Sequence, residues 1–218
     1  MQARRTGRGG RSAAGGAEVV SAMSTLLALS QAIEARDPLS SGHAHRVGVM
    51  AEVVAARLGW DEDDIEVLRL GAALHDVGKL AVPERILRKP GPLDEDELAE
   101  MRRHPEEGAR MVARHRSLQL VVPAVLYHHE RWDGCGYPVG IEGEAIPAEA
   151  RLLAIVDTFD AMTTDRPYRR ALPQAAAIAE LERCAGSQFD PGMVAVFVEA
   201  WRDGSLTDRN VELERAAS

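Results

Sequence analysis

The chain has 218 residues, 45% of them apolar, with 26 basic against 34 acidic side chains and a formal charge of −8. That length and apolar content suit one core in one domain. No run approaches the roughly twenty apolar residues of a membrane-spanning helix, and the N-terminus lacks the apolar segment of a secretion signal. A cytoplasmic protein with no membrane contact is the expectation, and Cys135 and Cys184, far apart and outside any Cys-x-x-Cys pattern, are expected to be free thiols.

The acid excess is larger than the total suggests. Arg4, Arg5, Arg8 and Arg11 precede the first acid, Glu18, and setting those four charges aside leaves −12 on the rest. So acidic a body argues against binding a nucleic-acid polymer, whose affinity comes largely from basic side chains neutralising phosphates. A phosphate-bearing substrate would need a local positive site.

In chain order, residues 1–16 are rich in Gly, Arg, Ser and Ala and carry too little apolar surface to fold, which predicts a disordered basic tail. From there the periodicity is helical almost throughout and no strand alternation stands out, so the fold class is all-α. A helix is predicted over 19–36 on Met23, Leu26, Leu27, Leu29 and Ile33, stopped by Asp37-Pro38, and a second over 42–58. Asp61 offers an N-cap to a third, which carries Ile65, Leu68 and Ala72 and delivers His75-Asp76 at its C-terminal end. Asp94 and Glu97 stand at capping-box spacing and open a helix leading to His104-Pro105. Further helices are expected near 107–114, 118–129, 147–163, 173–184 and 191–202. Residues 133–138, with two glycines and a proline, must form a loop directly after His128-His129. The expected division is a tail over 1–16, one domain over 17–205 whose segment 17–37 is a linker or dimer helix, and a flexible tail over 206–218, with no sensory domain ahead of the catalytic region.

Seven histidines occur. A lone histidine is more often a cap, a core hydrogen-bonder or a surface residue than a ligand, and His45 and His115 are read that way. His43, His75, His104, His128 and His129 differ because carboxylates accompany them. Asp76 adjoins His75, and Asp157 lies in the apolar run that begins at Leu152. An ionised carboxylate there needs a partner, either a metal or a salt bridge to Arg151 or Arg166. Imidazole and carboxylate donors together suit first-row transition metals, and a carboxylate between two imidazole clusters can bridge two cations.

The ordered blocks resemble the HD-GYP domains, a subgroup of the HD phosphohydrolase superfamily that hydrolyses cyclic di-GMP. They run through Gly42-His43, Leu74-His75-Asp76-Val77-Gly78-Lys79, His104-Pro105-Glu106-Glu107-Gly108, His128-His129-Glu130-Arg131-Trp132-Asp133-Gly134-Cys135-Gly136-Tyr137-Pro138, Ile155-Val156-Asp157-Thr158-Phe159-Asp160-Ala161 and Arg166-Pro167-Tyr168-Arg169. The resemblance covers about 27–198 and implies a compact multi-helix bundle with a di-metal site between helices. It implies one divalent metal on His43, His75, Asp76 and Asp157, and a second on His104, His128 and His129, with Asp76 bridging. Iron is the family's usual metal, and manganese is compatible with the same donors. Lys79 would contact a nonbridging phosphate oxygen as a catalytic residue, with Asp76 the second catalytic group. Arg166 and Arg169 would hold the dinucleotide backbone, and Tyr137, flanked by Gly136 and Pro138, would meet a guanine.

Two departures sharpen this. Arg169 stands where the family often has Lys, keeping the charge. Leu39 stands where some members carry a Glu that ligates a third metal, so a binuclear site is expected. The function implied is hydrolysis of cyclic di-GMP to linear pGpG, with GMP a further product, and a homodimer or a diguanylate cyclase as macromolecular partner. The alternatives are hydrolysis of another nucleotide at the same centre, or a weakly catalytic module that binds cyclic di-GMP.

Overall fold

The computed structural model of the protein describes residues 42–165 and 170–206, together with 24, 28 and 30–33. The described residues are helical with no strand, the nearest approach being a single bridge between Ala185 and Phe189. Among the described residues nine α-helices follow position 42: α1 His43–Arg57, α2 Glu62–Leu74, α3 Glu84–Leu87, α4 Glu95–Met101, α5 His104–Ala113, α6 Val122–Tyr127, α7 Ala148–Thr163, α8 Gln174–Cys184 and α9 Pro191–Arg202. Three 3-10 turns, Val77–Ala81, Arg116–Val121 and Gly143–Ala145, lie between them.

Local signals explain most boundaries. The Asp61 carboxylate accepts from the Asp64 amide at 2.9 Å and opens α2. Asp94 and Glu97 form a reciprocal capping box at the start of α4. Asp190 caps α9, accepting from the Gly192 and Met193 amides, and pairs with Arg151 at 2.6 Å. Arg151 is therefore committed to Asp190 and not to Asp157.

Two segments depart from the periodicity. The helix expected near 107–114 starts earlier, at His104, because Pro105 sits in its first turn, where its missing N–H costs nothing. The helix expected over 118–129 is a 3-10 turn followed by the short α6, because Pro123 cannot donate to a preceding turn and instead begins a new helix. The other predicted helices from 147 onward match to within about a residue.

The main core lies between α1, α2, α7, α8 and α9, around Val47, Leu68, Leu152, Ile155, Leu181 and Phe197. A second cluster joins Leu74, Val77, Val112, Leu118 and Val125. Ile33 is buried in that second cluster, and Ser30 donates to the Ala73 carbonyl, so these two helical positions of the 19–36 segment pack on the protein's own core. Residues 1–16 and 207–218 and the position of Leu39 lie outside the described residues, whereas Leu206, the first residue of the expected 206–218 tail, is buried in the main core. No described helix is long and apolar enough to cross a membrane.

Candidate metal centre

Four helix ends converge on the five histidines. His43 is the first residue of α1, His75 follows α2, His104 opens α5, and His128 follows α6 with His129 next to it. A helix terminus lets a side chain leave the packed helical face and point into a shared space.

Three of the rings use one device. The Nδ1 of His75, His104 and His128 lies 2.8, 2.9 and 2.8 Å from the carbonyl oxygens of Ala72, Met101 and Val125, each three residues upstream. A carbonyl only accepts, so Nδ1 carries the proton and Nε2 presents its lone pair to the centre. The Nε2 atoms of His104 and His128 then face each other at 3.2 Å. Two lone pairs at that distance repel unless a cation or proton lies between them.

The donor atoms fall into two groups, His43 with His75 and Asp157, and His104 with His128 and His129, each spanning no more than 4.8 Å. Asp76 lies between them, with Oδ2 3.5 Å from the His75 Nε2 and Oδ1 3.3 Å from the His104 Nε2. Lys79 donates to Asp76 at 2.7 Å. The groups fit divalent cations, with imidazole nitrogens and carboxylate oxygens in threes.

Electrostatics separate the groups. Burial pushes the His129 imidazole down to about 3, with His104 adding to the effect, and burial followed by His129 holds His128 well below its ordinary value. Burial also lowers His104, against the pull of Asp76. His43 goes the other way. Burial opposes its charge, yet hydrogen bonds to Asp157 and Asp160 raise it to about 10. Asp76 stays ionised despite burial because Lys79, His75 and His104 surround it, and Asp157 stays ionised against burial through His43 and His75.

Three supporting residues went unassigned in the sequence. Asp160 accepts from the His43 Nδ1 at 2.8 Å and is held by Arg46, whose Nε donates to Oδ1 at 2.6 Å. This fixes the His43 tautomer, as a carboxylate behind a ligating imidazole does. The available signal was spacing: Asp160 is three residues after Asp157 and Arg46 three after His43, each on its ligand's helix face. The third is Glu130, buried at 3% exposure, which accepts from the Val139 and Gly140 amides at 2.7 and 3.0 Å and ties down the loop after His129.

That loop and the Val77–Ala81 turn sit where only glycine fits. A Cβ on Gly78 would lie 1.9 Å from the His104 carbonyl oxygen, and one on Gly136 2.4 Å from the Arg131 amide nitrogen. Tyr137, joined to Pro138 by a cis peptide bond, stacks on His129 with ring centres 4.8 Å apart and planes 26° from parallel. Cys135 is exposed and Cys184 buried, both free. His45 and His115 lie outside both groups. Arg166 and Arg169 lie outside the described residues.

A family model described as an HD domain matches residues 28–193. Over 172 residues the chain is 44% identical to the cyclic di-GMP phosphodiesterase response regulator RpfG of Xanthomonas campestris, covering 78% of this chain and 46% of that protein. It is 37% identical to the 3'3'-cGAMP-specific phosphodiesterase 2 of Vibrio cholerae, covering 79% of this chain and 34% of that one. It shares its fold, at 18% identity and a TM-score of 0.66, with the crystal structure of a cyclic GMP-AMP specific phosphodiesterase of Vibrio cholerae (V-cGAP3), covering 88% of this chain and 52% of that one. The chain thus spans less than half the length of these two curated relatives. With the family model matched over most of its length and the histidine blocks converging on one centre, the chain belongs to the HD domain family, within its HD-GYP group.

Proposed function

We propose that this chain is a metal-dependent phosphodiesterase that hydrolyses cyclic di-GMP to linear pGpG, with GMP as a further product, in bacterial second-messenger signalling. The observation that carries the reading is the pair of facing three-donor groups with Asp76 between them. Two divalent metals would be held there, one by His43, His75, Asp76 and Asp157 and one by Asp76, His104, His128 and His129, and would supply a hydroxide nucleophile near neutral pH and neutralise phosphate charge. Iron or manganese suits the donors.

The chain's own groups account for the remaining needs of a diester. Lys79 carries an ammonium beside Asp76 that would donate to a nonbridging phosphate oxygen. Arg166 and Arg169 would hold the rest of the dinucleotide backbone, and Gly136, Tyr137 and Pro138 form the wall on the nucleobase side. The reading places the protein in the cytoplasm, with a second copy of the chain or a diguanylate cyclase as macromolecular partner.

A second reading, hydrolysis of cyclic GMP-AMP by the same centre, draws on the 37% identity to the cGAMP-specific relative. The test is expression under low oxygen, a metal count, and incubation with each cyclic dinucleotide while products are followed by chromatography. Two metals per chain and conversion of cyclic di-GMP to pGpG are expected. A fully loaded site that turns over no cyclic di-GMP would sink the first reading, and three metals per chain would overturn the binuclear site.

A further inference from the structure

A cavity of about 170 Å³ opens beside the metal centre, and its wall includes His128, His129, Tyr137 and Arg102. Arg102 is the residue on which α4 ends. Its guanidinium carbon lies 5.3 Å from the centre of the Tyr137 ring, which is itself stacked on His129. Arg102 therefore stands where the metal centre meets the Gly-Tyr-Pro loop.

Its neighbours are spoken for. Arg103 is paired with Glu100 and Glu107, and Arg131, the other arginine lining the cavity, with Asp133. Arg102 makes no ion pair and no side-chain hydrogen bond with any described residue. In a chain with 34 acids to 26 bases, a cation left without a carboxylate at the wall of a cavity has five N–H donors available to a ligand.

A guanidinium lying over an aromatic ring keeps its donor fork directed sideways, toward whatever shares that wall. Two partners match a fork: the oxygens of a phosphate, and the O6 and N7 acceptors of guanine. The phosphate that reacts belongs at the histidine groups, whereas Arg102 stands beside the aromatic ring of Tyr137 on the cavity wall, the kind of ring beside which a purine packs. We infer that Arg102 reads one guanine of the substrate, donating to O6 and N7. Adenine presents a donor at the first of these positions and is disfavoured. This rests on the reading of the site as a cyclic dinucleotide phosphodiesterase.

The test uses the metal-loaded full chain, its Arg102→Ala and Arg102→Lys variants, and three substrates: cyclic di-GMP, cyclic di-AMP and bis(p-nitrophenyl) phosphate, which has no base. In Arg102→Ala, kcat/KM for cyclic di-GMP should fall by about tenfold, chiefly through KM. Turnover of cyclic di-AMP and of the small diester should be unchanged, so the preference for guanine collapses. Arg102→Lys keeps the charge without the fork and should recover only part of the loss. Equal losses on both cyclic dinucleotides would mean phosphate binding and overturn the inference. A loss on the small diester would mean that Arg102 merely supports Tyr137 or His104, and no loss anywhere would remove it from the site; either overturns the inference. A wild-type protein that cleaves the small diester but no cyclic dinucleotide would instead sink the reading of the site itself, and this inference with it.

Discussion

On the side of α1 and α7, His43 lies between two carboxylates, Asp157 at 3.2 Å and Asp160 at 2.8 Å, and its charge is favoured. On the side of α5 and α6, three imidazoles face one another, His104 and His128 buried and His129 half-buried, with Asp76 3.3 Å from the His104 Nε2, and burial lowers the basicity of all three. One half would hold a cation by charge and the other by lone pairs. Carboxylate-bearing sites are the more tolerant of hard ions and all-imidazole sites favour softer ones, so the two positions of this centre should differ in what they accept. What joins them is Asp76, with one oxygen toward each half.

The largest effect should come from that joint. Asp76→Ala removes the group facing both halves, and nearly all activity should go with it while the metal count falls below two per chain. A fully active Asp76→Ala protein would break the assignment. His43→Ala and His129→Ala then separate the halves. Each leaves one group with two donors, so each should retain one metal, measured by elemental analysis after desalting. Loss of both metals from either variant would show that the halves do not load independently.

Much of this was legible in the sequence because the histidines sit where helices must stop or start. Asp61 and Asp94 announced their helices by capping chemistry, and the Asp133–Pro138 loop by its glycines and proline. Less was legible where proline acts as a beginning: one helix is expected to end at His104-Pro105 and another to run through Pro123, yet each proline lies in the first turn of a helix that places a histidine. Spacing sets Asp160 on the helix face of Asp157, but its partner was not legible. Its partner His43 lies 117 positions away, and no local pattern carries a pairing of that range. Its role is a product of α1 packing against α7.

Asp160 gives the next test. Asp160→Asn keeps an acceptor for the His43 Nδ1 and for Arg46 but removes one of the carboxylates that raise His43, Asp157 being the larger. Metal affinity on the His43 side should fall by about 10–100-fold, the usual cost of losing a carboxylate behind a ligating imidazole. The all-imidazole half should bind as before, so a calorimetric titration should show one weakened and one unchanged step. Two equally weakened steps would mean that Asp160 serves the fold and not the His43 tautomer.

The smallest effect should lie outside the donor set, at Glu130. Its buried carboxylate receives the Val139 and Gly140 amides through Oε1, and Gly140 also reaches Oε2 at 3.1 Å. Glu130→Gln can keep the Oε1 contacts and lose only the second oxygen, whereas Glu130→Ala orphans two backbone donors at about 1–3 kcal/mol each. Urea unfolding should therefore rank the variants with Gln near wild type and Ala clearly below it. Because Tyr137 lies just ahead of the clamped amides and Gly136 packs on the Glu130 backbone, Glu130→Ala should also raise KM for the cyclic dinucleotide. Both variants should still bind two metals, since Glu130 touches neither group of donors. A Glu130→Ala protein that is stable and substrate-competent but short of one metal would place Glu130 with the all-imidazole half and redraw the boundary between the two.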